Sequence, residues 1–380
     1  MFARRSILTI SHSIAKPVAR QKMCTASTPR LVSSDRAVGA WLLGVSGAVF
    51  GMVVLGGVTR LTRSGLSMVD WKPQGSLLPS TEEDWTREFE KYKAFPEYKK
   101  VNHGMELNEF KNIYFMEWAH RMWGRGLGIV FGLPCVYFVA RGSIKKLPGM
   151  GGILGGLFAL GGFQGLVGWW MVKSGLEEQQ DSYKEPRVSP YRLTAHLSMA
   201  LALYSGLLWS GLTALNPNLI PDPSSALLKA RTRLNVGLFI VGFTFLSGAF
   251  VAGNDAGRAY NDWPFYAGNW FPKEIWDAKL GYRNFFENTG TVQFDHRTLA
   301  YITIITVFSL WLNRSGLPKH AVAGHNAMVA AVALQASLGI STLMLFVPTT
   351  LGALHQAGAL TLWSTLVYTQ HAQKYLRLIK

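Results

Sequence analysis

The sequence predicts an all-α integral membrane protein in which eight transmembrane helices form two tandem four-helix bundles. Three observations predict this fold: an apolar composition, eight stretches long enough to cross a bilayer, and an internal duplication. Hydrophobic residues occupy 49% of the 380 positions and charged residues only 16%. This balance is typical of helical membrane proteins and excludes an ordinary soluble domain.

Each apolar stretch is close to the roughly 20 residues that a helix needs to cross the hydrocarbon core. The eight predicted spans are residues 38–59, 118–140, 148–172, 192–215, 233–253, 293–312, 321–347 and 350–370. The last two nearly abut, so we expect a tight turn near Pro348 to join them.

The two halves of the chain are copies of one four-span unit. A constant offset of 192 residues relates three features at and after the ends of the first and fifth spans. They are Gly56 and Gly248, Gly65 and Gly257, and the Asp-Trp pairs at 70–71 and 262–263. Gln164 and Gly168 in the third span recur as Gln335 and Gly339 in the seventh. Four spans per copy is an even number, so both copies insert in the same direction. A pseudo-two-fold axis along the membrane normal then relates residues 38–215 to residues 233–372, with 216–232 as a linker.

The first 34 residues have the composition of a mitochondrial transit peptide. They contain six Lys and Arg residues and several Ser and Thr, and no acid precedes Asp35. An ordinary basic tail on a bacterial protein is the alternative. If the segment is a transit peptide, it is cleaved and has no part in the fold.

Basic residues in the short loops predict the orientation in the membrane. They cluster at 141–146, 229–233, 314–319 and 374–380, on one side of the eight-span arrangement. The positive-inside rule assigns that side to the matrix of a multi-pass inner-membrane protein. Because the net charge of +16 lies in these loops and in the amino terminus, it does not indicate a nucleic-acid partner.

Four of the nine histidines occupy matching positions in the two copies. They are His120, His196, His296 and His355, each predicted within the first turns of an even-numbered span, near the non-matrix surface. Ionisable groups inside a membrane are rare and usually functional, and two imidazoles on neighbouring helices can ligate a haem iron from both faces. The pairs would be His120 with His196 and His296 with His355. Hydrogen-bonded interface histidines and a zinc site are the alternatives.

Charged residues beside two of the histidines add to this interpretation. Arg121 and Arg297 follow His120 and His296 directly, and arginine binds carboxylates such as haem propionates. Snorkelling to lipid phosphate is the alternative for both.

The two copies differ three residues before these histidines, where the first has Glu117 and the second has Gln293. Only the glutamate can act as a general base or stabilise a developing cation. A helix-start glutamate favoured by the macrodipole is the alternative. If the difference is catalytic, replacing Gln293 by Glu should change little.

Several motifs resemble those of haem A synthases of the mitochondrial and alphaproteobacterial type. They are "EWAHRMWGR", "GLSMVDWKP", "NDWP", "DHRTLAYIT", "TAHL" and "LHQAGAL", and the resemblance covers residues 38–372. It implies an oxidoreductase that converts the methyl group at porphyrin position 8 of haem O to a formyl group, giving haem A for cytochrome oxidase. It further implies that His120 and His196 flank the substrate haem, that His296 and His355 ligate haem b, and that Glu117 is the catalytic carboxylate.

The resemblance also implies partners: haem O as substrate, haem O synthase as its supplier, and a protein that exchanges electrons. A homo-oligomer stays open. One departure concerns the first outer loop, residues 60–117, which lacks the cysteine pair of many bacterial relatives. Its segment "TEEDWTREFEKYKAFPEYKK" forms either an amphipathic helix across the site or a plain loop.

Two other functions remain as alternatives. A diheme b-type electron-transfer protein would retain two haems b, and a transporter would have a polar pathway at the membrane midplane.

Overall fold

The computed structural model describes residues 32–177 and 185–376, and the predicted transit peptide 1–34 lies almost wholly outside them. Within these ranges the regular elements are helices, with two isolated β-bridges. The α-helices are α1 (Arg36–Leu61), α2 (Glu82–Lys93), α3 (Pro96–Lys100), α4 (Leu107–Ala140), α5 (Met150–Leu176), α6 (Pro190–Leu215), α7 (Ser225–Gly253), α8 (Asn284–Glu287), α9 (Thr289–Leu312), α10 (Lys319–Met344) and α11 (Thr349–Lys374).

Each of the eight predicted spans coincides with one long helix. Six of these helices, α1, α4, α5, α6, α7 and α10, are long and apolar enough to cross a membrane. The other two, α9 and α11, have 24 and 26 residues and fall outside that group. The all-helical, membrane-embedded class is therefore confirmed for the described residues.

Two predicted boundaries were wrong. Helix α4 begins at Leu107, eleven residues before the predicted start, because its first turns pack against the outer loop instead of lipid. Helix α7 begins at Ser225, capped by the Ser224 hydroxyl, and so takes in part of the predicted linker 216–232. Hydropathy detects the part of a helix that faces lipid, whereas capping groups decide where the helix starts.

The long helices contact one another in two sets of four. Helices α1, α4, α5 and α6 form one set, α7, α9, α10 and α11 form the other, and α1, α6, α7 and α11 make the contacts between the sets. The main apolar core lies in the first set and includes Leu42, Val49, Leu154 and Leu207. Leu360 of α11 packs into this core, so the two halves share buried surface.

The first outer loop contains a helix, so it is not a plain loop; that this helix lies across the site stays a prediction. Helix α2 is capped by the Thr81 hydroxyl, has acidic residues in its first turn and lysines in its last, an arrangement that the helix dipole favours. Its Phe89 ring stacks on Phe110 of α4 at 4.8 Å between ring centroids. Phe89 and Tyr92 thereby hold α2 against the extended start of α4.

Candidate functional site

Each of the four repeated histidines lies against a glycine of a neighbouring helix. A methyl group built on each glycine would lie 2.8 to 3.3 Å from the nearest ring atom of its histidine. The pairs are Gly56 with His120, Gly168 with His196, Gly248 with His296 and Gly339 with His355. The glycines lie near the carboxyl ends of α1, α5, α7 and α10. All four imidazoles therefore occupy space that only glycine leaves free.

The carboxy-terminal pair has a geometry suited to a shared metal. The rings of His296 and His355 lie 6.5 Å apart between centroids and at 88° to each other. With metal–nitrogen bonds of about 2 Å on both sides, two imidazoles that share a metal have ring centres roughly 6 Å apart. Across the residues that the structure describes, no group of three or more metal-ligating side chains comes together. The histidines thus stand as pairs, which suits haem better than a tetrahedral zinc site.

The amino-terminal pair shares the glycine contacts, but the two rings are oriented differently. The ring atom nearest the glycine is Nε2 in His120 and Cε1 in His196. The Nδ1 atom of His196 is buried and has no hydrogen-bond partner among the described residues. A buried polar atom without a partner calls for an explanation, such as a ligand that reorganises the ring.

The position of His120 along its helix differs from the expectation. His196, His296 and His355 lie within two turns of their helix starts, but His120 is thirteen residues after Leu107, where α4 begins. The early start of α4 is the reason. The glycine contacts nevertheless keep His120 at the same end of the bundle as the other three histidines.

Glu117 is 2% exposed and makes three hydrogen bonds. Its Oε1 accepts from Arg121 Nη2 at 2.7 Å, and its Oε2 accepts from the Ser67 hydroxyl and the Met68 backbone N–H, both at 2.7 Å. Charge-assisted bonds of this length are strong. They hold the carboxylate in one place between α4 and the segment that follows α1.

Gln293 occupies the matching position but meets the opposite polarity. Its Oε1 accepts from Arg297 at 2.8 Å, as Glu117 does from Arg121. Its Nε2 donates to the carbonyl oxygens of Ala256 and Tyr260, at 2.7 and 3.2 Å. An ionised glutamate at this position would place a carboxylate oxygen against these two carbonyl oxygens, with no hydrogen available to bond between them. The expectation that Gln293→Glu changes little in the reaction stays a prediction, while these partners indicate a loss of stability.

The two arginines predicted to bind propionates anchor the outer loops. Each arginine donates a hydrogen bond to the side chain four residues earlier. Arg121 also donates to the carbonyl oxygens of Met68 and Asp70. Arg297 donates to those of Tyr260 and Phe265. Nε of Arg297 is buried and lacks a partner within the described part of the chain. Propionate binding stays a prediction for both residues.

A cavity of about 450 Å³ opens beside the Glu117–Arg121 pair, between α2, α4 and residues 68–80. Its charged lining residues are Asp70, Lys72, Asp84, Arg87, Glu88, Arg121 and Arg125. Arg125 also donates to the carbonyls of Lys72 and Pro73. The cavity is polar and mixed in charge, so water can reach the neighbourhood of the buried carboxylate.

Sequence reasoning missed the groups that hydrogen-bond to the site residues. Ser67 and Met68 are 50 and 49 positions from Glu117, and Ser247 is 49 positions from His296. Ser247 was also hidden because the first copy has Leu55 at its position. Gln335, which lies 3.0 Å from Nδ1 of His355, was noticed only as a marker of the repeat.

Comparison with known proteins shows the family of the chain. Residues 39–367 match the model of the COX15-CtaA family, described as cytochrome oxidase assembly protein. The chain is 53% identical to Heme A synthase COX15 of Arabidopsis thaliana over 88% of this chain and 74% of that protein. It is 46% identical to Heme A synthase COX15 of Bos taurus, covering 96% and 89%, and 45% identical to Heme A synthase of Rhodospirillum centenum, covering 91% of each.

The match spans both sets of four helices, all four histidines and Glu117, and each of these relatives exceeds 40% identity. The resemblance seen in the motifs is confirmed, and the chain belongs to the COX15-CtaA family.

Proposed function

We propose that the protein is a haem A synthase, an oxidoreductase that converts the C8 methyl of haem O to the formyl group of haem A for cytochrome c oxidase. The observation that carries this function is the presence of two glycine-backed histidine pairs, of which only one has a buried carboxylate, Glu117, at the position where the other has Gln293, in a chain of this family. A symmetric electron carrier has no need of an acid in only one half.

We propose that α1, α4, α5 and α6 (within residues 38–215) and α7, α9, α10 and α11 (within 233–372) are eight membrane spans. The two bundles are related by a pseudo-two-fold axis along the membrane normal. Residues 216–232 connect them on the matrix side of the inner membrane, and the histidine end faces the intermembrane space. The matched glycine–histidine contacts of the two halves support this arrangement.

His296 and His355 would hold haem b, and His120 and His196 would flank haem O. The 6.5 Å separation of the carboxy-terminal rings supports the first assignment, and the second rests on the matching glycine contacts and on the adjacent Glu117. Haem b, when bound, supplies a site for one-electron transfer.

The reaction needs water, a proton acceptor and an electron acceptor. Conversion of a methyl group and one water to a formyl group releases four electrons and four protons, in two successive hydroxylations followed by dehydration of the geminal diol. Glu117 would accept a proton at the methyl-bearing edge of haem O, with water entering through the polar cavity beside Arg121. A partner protein would take the electrons, and haem O synthase would deliver the substrate.

Identification of the bound porphyrins by mass separates this function from the others. We expect haem b together with haem O or haem A in protein purified from its own membrane. Two haems b and no farnesylated porphyrin would instead indicate a diheme electron-transfer protein. Absence of any haem would indicate a function of another kind, such as transport.

Glu117→Gln tests the carboxylate. General-base catalysis contributes about 10²- to 10⁴-fold, so we expect haem A formation to fall by that order while haem O accumulates. Glu109→Gln, the same change on the same helix at an exposed capping position, should leave the rate unchanged. Normal haem A production by Glu117→Gln would rule out this role.

Gln293→Glu completes the comparison between the halves. It places a carboxylate against the carbonyls of Ala256 and Tyr260, so we expect a lower thermal unfolding midpoint without any gain of activity. An unchanged midpoint would show that the two outer loops do not discriminate between acid and amide.

A further inference from the structure

The two histidine pairs differ in what holds their rings. In the carboxy-terminal half, the Oγ atom of Ser247 lies 2.7 Å from Nδ1 of His296 and 2.7 Å from the carbonyl oxygen of Thr244. A carbonyl oxygen only accepts hydrogen bonds. The hydroxyl proton of Ser247 must therefore point at Thr244, and Ser247 presents a lone pair to the ring.

This arrangement selects one tautomer of His296. Because Ser247 has no second proton to give, Nδ1 of His296 carries the proton and donates it to Ser247 Oγ. Nε2 is then left with its lone pair, which is the form of imidazole that binds iron. Serine, ring and metal-binding nitrogen thus form one chain of contacts across α7 and α9.

His355 has a comparable partner. The amide of Gln335 on α10 lies against its ring, 3.0 Å from Nδ1, and the Oε1 atom of the amide is buried without a partner among the described residues. The oxygen and nitrogen of an amide exchange places by a half-turn. With Oε1 in that place, Gln335 accepts the proton of Nδ1, the nearer ring nitrogen. Nε2, which lies 3.5 Å from the same amide atom, then keeps its lone pair.

The amino-terminal half has neither contact. Leu55 replaces Ser247 beside Gly56, and no hydrogen bond to the His120 ring is present among the described residues. Gln164, the counterpart of Gln335, donates to the backbone oxygen of His196 at 2.8 Å. Nδ1 of His196 and Oε1 of Gln164 are both left buried without partners in the described part of the chain.

We propose that Ser247 and Gln335 are positioning residues through which His296 and His355 retain their haem. The lack of such contacts in the amino-terminal half lets His120 and His196 release theirs. The proposal rests on the function proposed above. It adds the reason why one haem stays in the protein while the other leaves as product.

A hydrogen bond at Nδ1 raises the basicity of the imidazole and fixes its orientation, and loss of such a partner typically costs about 10- to 100-fold in metal affinity. Greater basicity also favours the more highly charged ferric iron and so lowers the reduction potential. A resident cofactor gains from both effects. A haem that must leave once it has been converted to product requires weaker binding.

Ser247→Ala in the full-length, haem-loaded protein tests the proposal through two measurements. The first is the rate at which haem b transfers to excess apomyoglobin, with the remaining porphyrin identified by mass. The second is the midpoint potential of haem b. We expect transfer to be about 10-fold faster or more and the potential to rise, with haem O transfer unchanged.

Two further variants separate positioning from general damage. Ser247→Thr keeps the hydroxyl and should restore both values. Ser337→Ala removes a hydroxyl that bonds only to the carbonyl of Ala333, and should change neither. If Ser247→Ala leaves haem b transfer and potential at the wild-type values, the proposal is overturned.

The reciprocal variant is Leu55→Ser. A hydroxyl introduced beside His120 should slow the transfer of haem O or haem A, and unchanged transfer would contradict the proposed cause of exchange. Isolation of wild-type protein without haem b would instead overturn the proposed function, so the two failures are distinguishable.

Discussion

At the scale of single residues, the difference between Glu117 and Gln293 extends to the loops around them. The carboxylate meets donors from Ser67 and Met68, whereas the amide meets acceptors from Ala256 and Tyr260. A buried polar group is stable only when its partners match. The two halves therefore differ in the side chain and in the loop around it together.

A second buried carboxyl, Glu97, lies outside the membrane spans, in α3. It is 6% exposed and accepts a hydrogen bond from the Tyr92 hydroxyl at 3.0 Å. Burial is the main cause that raises the pKa of Glu97 from 4.5 to about 7. The charged form is thus disfavoured in the folded protein.

This raised pKa predicts a pH-dependent stability. The folded state holds a proton that the unfolded state releases, so stability falls as pH rises from about 4.5 to about 7, by roughly 3 kcal/mol at most. Glu97→Gln keeps an acceptor for Tyr92 but has no charge to bury. We expect its thermal midpoint to exceed that of the wild type at pH 8, with the difference shrinking towards pH 5.

Glu83→Gln, at an exposed position of α2, is the control and should show a difference from the wild type that does not vary with pH. A Glu97→Gln difference that is equally flat would mean that this carboxyl is ionised throughout the range.

At the scale of elements, each odd-numbered span presents a glycine to the histidine of another span. The contact is made four times, always near the carboxyl end of the glycine-bearing helix. Small residues let membrane helices approach closely, and here they leave room for imidazole rings. The position of the glycine on its helix therefore sets where the ring lies.

Helix α5 allows a matched test of this role. A methyl at Gly168 would lie 3.0 Å from Cε1 of His196, whereas a methyl at Gly165, less than one turn earlier, meets nothing within 4 Å. We expect Gly168→Ala to shift the ring and reduce the haem O and haem A recovered per chain. Gly165→Ala should retain both porphyrins and gain up to about 1 kcal/mol from helix propensity.

Equal porphyrin recovery from the two variants, measured by mass after extraction, would show that the Gly168 contact is ordinary helix packing. The haem b content serves as the internal standard, because Gly168 does not contact the carboxy-terminal pair.

At the scale of the whole molecule, the residues before α1, the segment between α6 and α7 and the residues after α11 meet at one end of the bundle. The Asn218 side chain accepts from Val32 N at 2.7 Å, and the Asn218 backbone oxygen accepts from Leu376 N at 2.7 Å. At the other end, Arg60 in the last turn of α1 pairs with Asp255 after α7 at 3.0 Å. The proposed even number of crossings per half would explain why these segments meet.

The orientation can be tested with single cysteines in a Cys24→Ser, Cys135→Ser background. Ser80 in the first outer loop and Ser315 between α9 and α10 are both exposed. In intact mitoplasts, a membrane-impermeant thiol reagent should label Ser80→Cys and not Ser315→Cys, with both labelled after detergent is added. The reverse pattern would place the histidine end in the matrix.

The sequence by itself determined the helical membrane class and the family, and its repeat pattern predicted the four histidines and Glu117 as site residues. Lipid makes this possible, because a helix that crosses it needs a long apolar run, and a duplicated chain marks its exceptional residues twice. Only the tertiary structure decided which groups hold those residues. Ser67 reaches Glu117, Ser247 reaches His296 and Gly168 reaches His196 across helix interfaces, and such contacts depend on packing geometry, which has no periodic signal along the chain.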